Sequence, residues 1–272
     1  MSYLLAAGCS WTDANFTSHV DSTIDCSFPK WPEALAKQLG ISEVVNIGIS
    51  GGSNDYMFDR CYDKIIAQKP KMVCILLSGW DRHTIFNYIS NLSTDLTVYE
   101  MKKQKNFAAD YPWLEKYYKA NEPMVNMSHN LWTDWLSVEN VVDKTLRNIF
   151  LFQSFCEQHH IDYILMQGIN QLAYPLGSKY FNNPHKMALE DIRCFIKYTL
   201  NSQYTSKINE KNILGWPFFW QIGGYNVHDK LLEKDISKFI IHPNDEHPNA
   251  LGHQTIAEMF YKGYQDIYGK IS

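Results

Sequence analysis

Apolar residues fall along this chain in short unbroken runs, separated by amphipathic stretches. "SYLLAAG" (2–8), "EVVNIG" (43–48), "KMVCILLSG" (71–79) and "DYILMQG" (162–168) show little polar alternation. Strands buried on both faces give such runs, whereas a strand wetted on one face alternates with period two. Between the runs the period becomes helical. In "WPEALAKQLG" (31–40), Trp31, Leu35 and Leu39 share a face and Gly40 marks the stop. Met57, Cys61, Ile65 and Ile66 recur at helical spacing within 55–68. A longer helix is predicted over 139–159. A last one has Asn249 as its cap and Ile256, Phe260, Tyr264 and Ile267 along one side. "PFFWQIGG" (217–224) reads as a fifth strand or as an aromatic loop.

Buried strands alternating with helices predict an α/β fold: a parallel sheet covered on both faces. One segment breaks the rhythm. Residues 83–138 lie between the third strand and its following helix, where a few residues would suffice. They read as an aromatic-rich insertion over one end of the sheet, so residues 1–272 are expected to form a single domain.

Composition narrows the function classes. Apolar residues make up 45%, enough for a sizeable core, and 25 basic against 29 acidic residues leave a net charge of −4. That balance gives no electrostatic reason to expect nucleic acid or an anionic membrane as partner. The six cysteines (Cys9, Cys26, Cys61, Cys74, Cys156 and Cys194) form no C-x-x-C pair and read as reduced core residues. The start "MSYLLAAGCS" lacks a basic region and has too short an apolar run for a signal peptide. No run approaches the length of a membrane span. The expected location is therefore cytoplasmic; oligomeric state stays open.

In open parallel sheets, ligands bind beyond the carboxyl ends of the strands. There the chain carries "GCSWTD", "GISGGSND" and "SGWDR" after its first three strands. Ser10 directly follows the first strand. It suits a helix cap, or a nucleophile if a base comes within hydrogen-bond reach. His247, in the loop before the last helix, is the strongest candidate base. Its segment, "HPNDEHPNALGH" (242–253), also raises a metal reading. His242, His247 and His253 are spaced by five and six residues, not the i, i+4 of helical zinc ligands. A loop can still gather ligands irregularly, so a metal-dependent hydrolase on 242–253 remains an alternative.

"GCS", "NIGISGGSND", "SGWDR" and "DEHPNALGH", in that order, resemble the four sequence blocks of the SGNH (or GDSL) hydrolases, and they span nearly the whole chain. The resemblance implies a flavodoxin-like three-layer α/β/α sandwich. It implies cleavage of esters, thioesters or O-acetyl groups through a serine, with no cofactor. Carried over by position, it makes Ser10 the nucleophile and His247 its general base. The acid that orients the imidazole stands three residues upstream in most relatives, which is Asn244 here; Asp245, two upstream, is the nearest carboxylate. Oxyanion donors would be the N–H groups of Ser10 and Gly51. The third donor, a block-three asparagine, is replaced by Trp80, and Asn54 could supply a substitute amide. Cys9 occupies the middle of the first block, with a side chain expected to point away from Ser10 into the packing.

Asp81 and Arg82 read as a surface ion pair or, with Trp80, as substrate contacts. Trp113, Tyr117, Tyr118, Trp132 and Trp135 in the insertion suit a lobe core or a lid, and Trp216, Phe218, Phe219 and Trp220 suit a further wall. The expected substrate is a small molecule or an acylated carbohydrate. The departures at Cys9, Trp80 and Asn244 motivate a second alternative, a binding or structural protein with a degraded site.

Overall fold

The computed structural model describes residues 2–18, 20–80, 82–87, 92–97, 137–171 and 186–269. Strands β1 (Tyr3–Gly8), β2 (Glu43–Asn46), β3 (Met72–Leu77), β6 (Asp162–Gln167) and β7 (Ile213–Leu214) form one parallel sheet in the order β2-β1-β3-β6-β7. That is the flavodoxin-like order, with its switch point between β1 and β3. Every residue of β1 and β3 is buried, as their unbroken apolar runs require.

Helices α1 (Trp31–Leu39) and α6 (Ala250–Tyr268) pack together on one face. On the other lie α2 (Asn54–Ala67), α3 (Val138–Gln158) and α4 (Lys186–Asn201), with α2 against α3 and α3 against α4; the short α5 (Val227–Glu233) follows β7 in the chain. The three layers are thus helix, sheet, helix. Local signals set the ends. Gly40, at φ +64°, closes α1, and the Ser53 hydroxyl accepts from the Tyr56 N–H at the start of α2. Asn249 Oδ1 accepts from the Gly252 N–H at 3.0 Å at the start of α6. All six cysteines are free, and all but Cys194 are buried.

Residues 217–224 are not a strand. The fifth strand is the two-residue β7 just upstream, and the aromatic segment is a loop. Gly215, Phe218 and Gly223 take φ of +82°, +74° and +87°, which no extended strand accommodates. Within the 83–138 segment, β4 (Arg82–Asn87) and β5 (Leu92–Thr97) pair as an antiparallel hairpin. Trp113, Tyr117, Tyr118, Trp132 and Trp135 lie outside the described residues, as does Asp81.

Candidate active site

Ser10 emerges at the switch point. After β1 the chain turns sharply, with the Thr12 and Asp13 N–H groups both donating to Cys9 O at 2.8 and 3.1 Å. Thr12 is fully buried and touches both neighbouring glycines. A Cβ on Gly8 would sit 1.9 Å from Thr12 Oγ1, and one on Gly48 would sit 2.7 Å from Thr12 Cβ. Only glycine lets the loops after β1 and β2 come this close. Asp13 then ties them: its Oδ2 accepts from Ser50 N at 2.9 Å and from Ser50 Oγ at 2.7 Å. This clamp holds Gly51, at φ +80°, beside the first loop. Among the described residues, neither the Ser10 nor the Gly51 N–H donates to a backbone carbonyl. Cys9 is buried, with 2% exposure.

His247 reaches this place on a hairpin of β8 (Ile240–His242) and β9 (Asp245–Pro248), whose two-residue turn is Pro243–Asn244. Its Nε2 lies 2.7 Å from Ser10 Oγ. Its Nδ1 meets Asp245 Oδ1, and its own backbone N–H points at the same oxygen at 3.3 Å. Because β9 is a strand, residues two apart share a face, so Asp245 and His247 align while Glu246 turns away. Asn244 is in the turn, exposed, with its N–H on His242 Nδ1 at 3.0 Å.

Two further residues hold the pair, and no sequence motif marks either. Ser18 Oγ donates to Asp245 Oδ2 at 2.6 Å across 227 residues of chain. Phe16 stacks on the His247 ring, with centroids 4.2 Å apart. Burial pushes the Asp245 carboxyl up. The hydrogen bond and charge of His247, the Ser18 hydroxyl and the His247 backbone N–H outweigh it and hold the group below its ordinary value.

The block-three residues divide. Trp80 is 1% exposed and packs among Phe195, Phe218 and Phe219, not in the open as a substrate contact. A buried indole N–H requires an acceptor, and Gln167 Oε1 provides it at 2.9 Å. Asn54 is also internal. Its Oδ1 accepts from Ser78 N at 2.8 Å and its Nδ2 donates to Ser78 O at 3.2 Å, stapling α2 to the end of β3 and leaving one amide hydrogen. Arg82 is half-buried, with Nε and Nη1 lacking partners among the described residues.

The three histidines of 242–253 do not converge. His253 is buried, with Nδ1 accepting from the Trp31 N–H at 3.3 Å, and burial above all depresses its pKa to about 3. Among the described residues, no three His, Cys, Asp or Glu side chains are placed to hold a metal ion together. Nor, among them, is any helix long and apolar enough to cross a membrane.

No protein-family model matches this chain, and no curated protein does. Similar solved structures exist. One, described as a lipolytic protein of the G-D-S-L family from Desulfitobacterium hafniense DCB-2, is 14% identical. The match covers 97% of this chain and 99% of that one, with a TM-score of 0.47. A mutant of Axe2, an acetyl-xylooligosaccharide esterase from Geobacillus, is 17% identical over 96% of this chain and 93% of that one, with a TM-score of 0.46. LAE5, an α/β hydrolase from the metagenome of Lake Arreo, Spain, is 14% identical over 98% of this chain and 96% of that one, with a TM-score of 0.47.

Proposed function

We propose that this protein is a serine ester hydrolase. The observation that carries the reading is the linear relay of Asp245, His247 and Ser10, with a 2.7 Å contact between His247 Nε2 and Ser10 Oγ. A serine hydroxyl becomes a useful nucleophile only when a base within that distance takes its proton. In the proposed cycle, Ser10 Oγ attacks the ester carbonyl as His247 accepts the proton. Asp245 keeps the ring in the tautomer with Nε2 bare and stabilises the imidazolium that forms. The Ser10 and Gly51 N–H groups, which have no backbone acceptor among the described residues, receive the developing oxyanion, with the remaining Asn54 amide hydrogen as a third donor. His247 returns the proton to the leaving alcohol, and water repeats the sequence on the acyl-enzyme. Arg82, whose buried Nε and Nη1 have no partner among the described residues, would serve a carboxylate or phosphate on the substrate.

The test is labelling by a serine-reactive fluorophosphonate together with turnover of a short aryl ester. The reading expects labelling of Ser10, and loss of both labelling and turnover in Ser10→Ala. Unlabelled Ser10 with no turnover would return the protein to the class of binding or structural proteins, and full turnover by Ser10→Ala would remove Ser10 as the nucleophile.

A further inference from the structure

The hairpin that carries Asp245 and His247 is not part of the main sheet. Among the described residues, β9 pairs only with β8, through an irregular register, and no backbone hydrogen bond joins either strand to the five-stranded sheet. A two-stranded hairpin is marginal by itself in water. Its place against Ser10 therefore depends on side chains. Ser18 and Phe16 act on the face that bears Asp245 and His247. Glu246 points the opposite way, because neighbours in a strand alternate. His228 meets it there, with Nε2 lying 3.1 Å from Glu246 Oε2.

His228 is itself firmly held. It is 5% exposed and lies in the first turn of α5, a helix whose Val227 and Leu231 are fully buried. Asn226 caps that turn, its Oδ1 accepting from the Asp229 N–H at 2.9 Å. The His228 N–H donates to Gly168 O at 3.0 Å, and the Gly168 N–H donates to Leu77 O at 2.9 Å, so the residue is pinned to the ends of β6 and β3. Its imidazole also lies against the Trp11 indole, with centroids 6.3 Å apart. One ring thus touches the residue after the nucleophile and the residue before the base. A carboxylate only accepts, so Nε2 carries the hydrogen that faces Glu246. Nδ1 is buried and has no partner among the described residues. Buried polar atoms are rarely left in that state, and a side chain that only filled space here would be apolar. The imidazole is explained by what its other nitrogen grips.

We propose that His228 is a positioning residue of the site. With Glu246 it fastens the back of β9 to the end of the sheet, while Ser18 fastens the front, so that His247 Nε2 keeps its 2.7 Å reach to Ser10 Oγ. It acts through Glu246 and not on the ester. The catalytic consequence rests on the ester-hydrolase reading; the placement of the His247 ring does not. Displacing a catalytic group by about 1 Å costs on the order of 10²-fold in rate, so loss of one of several ties should cost about ten- to a hundredfold.

The experiment uses the intact protein with His228→Leu, Glu246→Ala, the double variant, and His228→Gln, whose side-chain amide can donate to Glu246 in place of Nε2. Both kcat and KM are measured on p-nitrophenyl acetate, with working sites counted by the fluorophosphonate. In each single variant except His228→Gln, kcat per counted site should fall about ten- to a hundredfold, with KM within about threefold. The double variant should be no slower than the slower single, since both changes remove one bond. His228→Gln should recover most of the loss. Glu246 is partly exposed, so Glu246→Ala decides if His228→Leu does not fold. Unchanged kcat per site, with the loss confined to Tm or to the number of labelled sites, overturns the proposal. So do losses that multiply in the double variant, or a His228→Gln rate as low as that of His228→Leu. Should the wild type neither hydrolyse the ester nor take the label, the ester-hydrolase reading fails separately. The ring-nitrogen NMR signals of His247, assigned against His247→Gln, then decide: a shift in His228→Leu supports positioning, and unmoved signals reject it.

Discussion

Asp245 and His247 stand on the same face of β9, two residues apart, with Asp245 Oδ1 against His247 Nδ1. The spacing is the period of a strand. The position three residues upstream is Asn244, which falls with Pro243 in the turn, before the strand begins at Asp245. Asp245→Asn should therefore lower kcat on a short ester by on the order of 10²–10⁴, through loss of the tautomer and of imidazolium stabilisation. Asn244→Ala should stay within about threefold, for it leaves that relay intact. Steady-state kinetics on the two variants checks the assignment, and the reverse pattern would reject it.

Ser18 acts on the same carboxylate from behind. Removing its hydroxyl in Ser18→Ala takes away a hydrogen bond to a buried charge, worth about 1.5–3 kcal/mol. One of the influences holding the Asp245 carboxyl low goes with it. The acid limb of the kcat/KM profile should move to higher pH. A variant that lost stability with an unmoved limb would leave Ser18 a purely structural residue.

His253 sets a separate acid sensitivity. In the unfolded chain a histidine takes up a proton near pH 6.5, but the folded group, buried and near Lys30 and His247, does so only near pH 3. The native state thus binds fewer protons between these values. Its stability is complete above the upper one and is lost as pH falls toward the lower one. Asp245, also depressed, works in the same direction at lower pH. His253→Gln should flatten the fall of Tm between pH 6.5 and 4, measured by thermal melts across that range.

Trp80 tests the distinction between core and substrate wall. Trp80→Phe keeps an aromatic ring among Phe195, Phe218 and Phe219 but strands Gln167 Oε1 without its donor. Leaving such a group unpaired costs about 1–3 kcal/mol, and Tm should drop by about 2–4 °C for each of them. KM for a small ester should change little. A large KM effect with an unmoved Tm would return Trp80 to the substrate.

The placement of the sheet strands was legible because burial is written locally. "YLLAAG" and "MVCILL" are apolar at every position, short, and bounded by turn residues, as a strand covered on both faces requires. The "PFFWQIGG" segment stayed open between strand and loop for the same reason. Apolar content reports burial, not extension, and the positive φ at Phe218 and Gly223 is invisible in it. Trp80 shows the limit of position-by-position comparison: the resemblance sets it where an oxyanion asparagine is expected, yet its size and its N–H commit it to the interior.

By itself, then, the sequence determined the parallel α/β class and the approximate bounds of β1, β2, β3, β6, α1, α2, α3 and α6. It also marked Ser10, Gly51, Asp245 and His247 as the residues to examine. Periodicity and block order suffice for these, since they follow from neighbours along the chain. Only the tertiary structure decided that Asp245 and not Asn244 backs the imidazole, that Ser18 and Phe16 support the pair, and that Asn54 staples Ser78. It alone decided that His228 meets Glu246. Those contacts join segments far apart in sequence, and their partners are chosen by strand order and by which buried polar group still lacks a hydrogen bond.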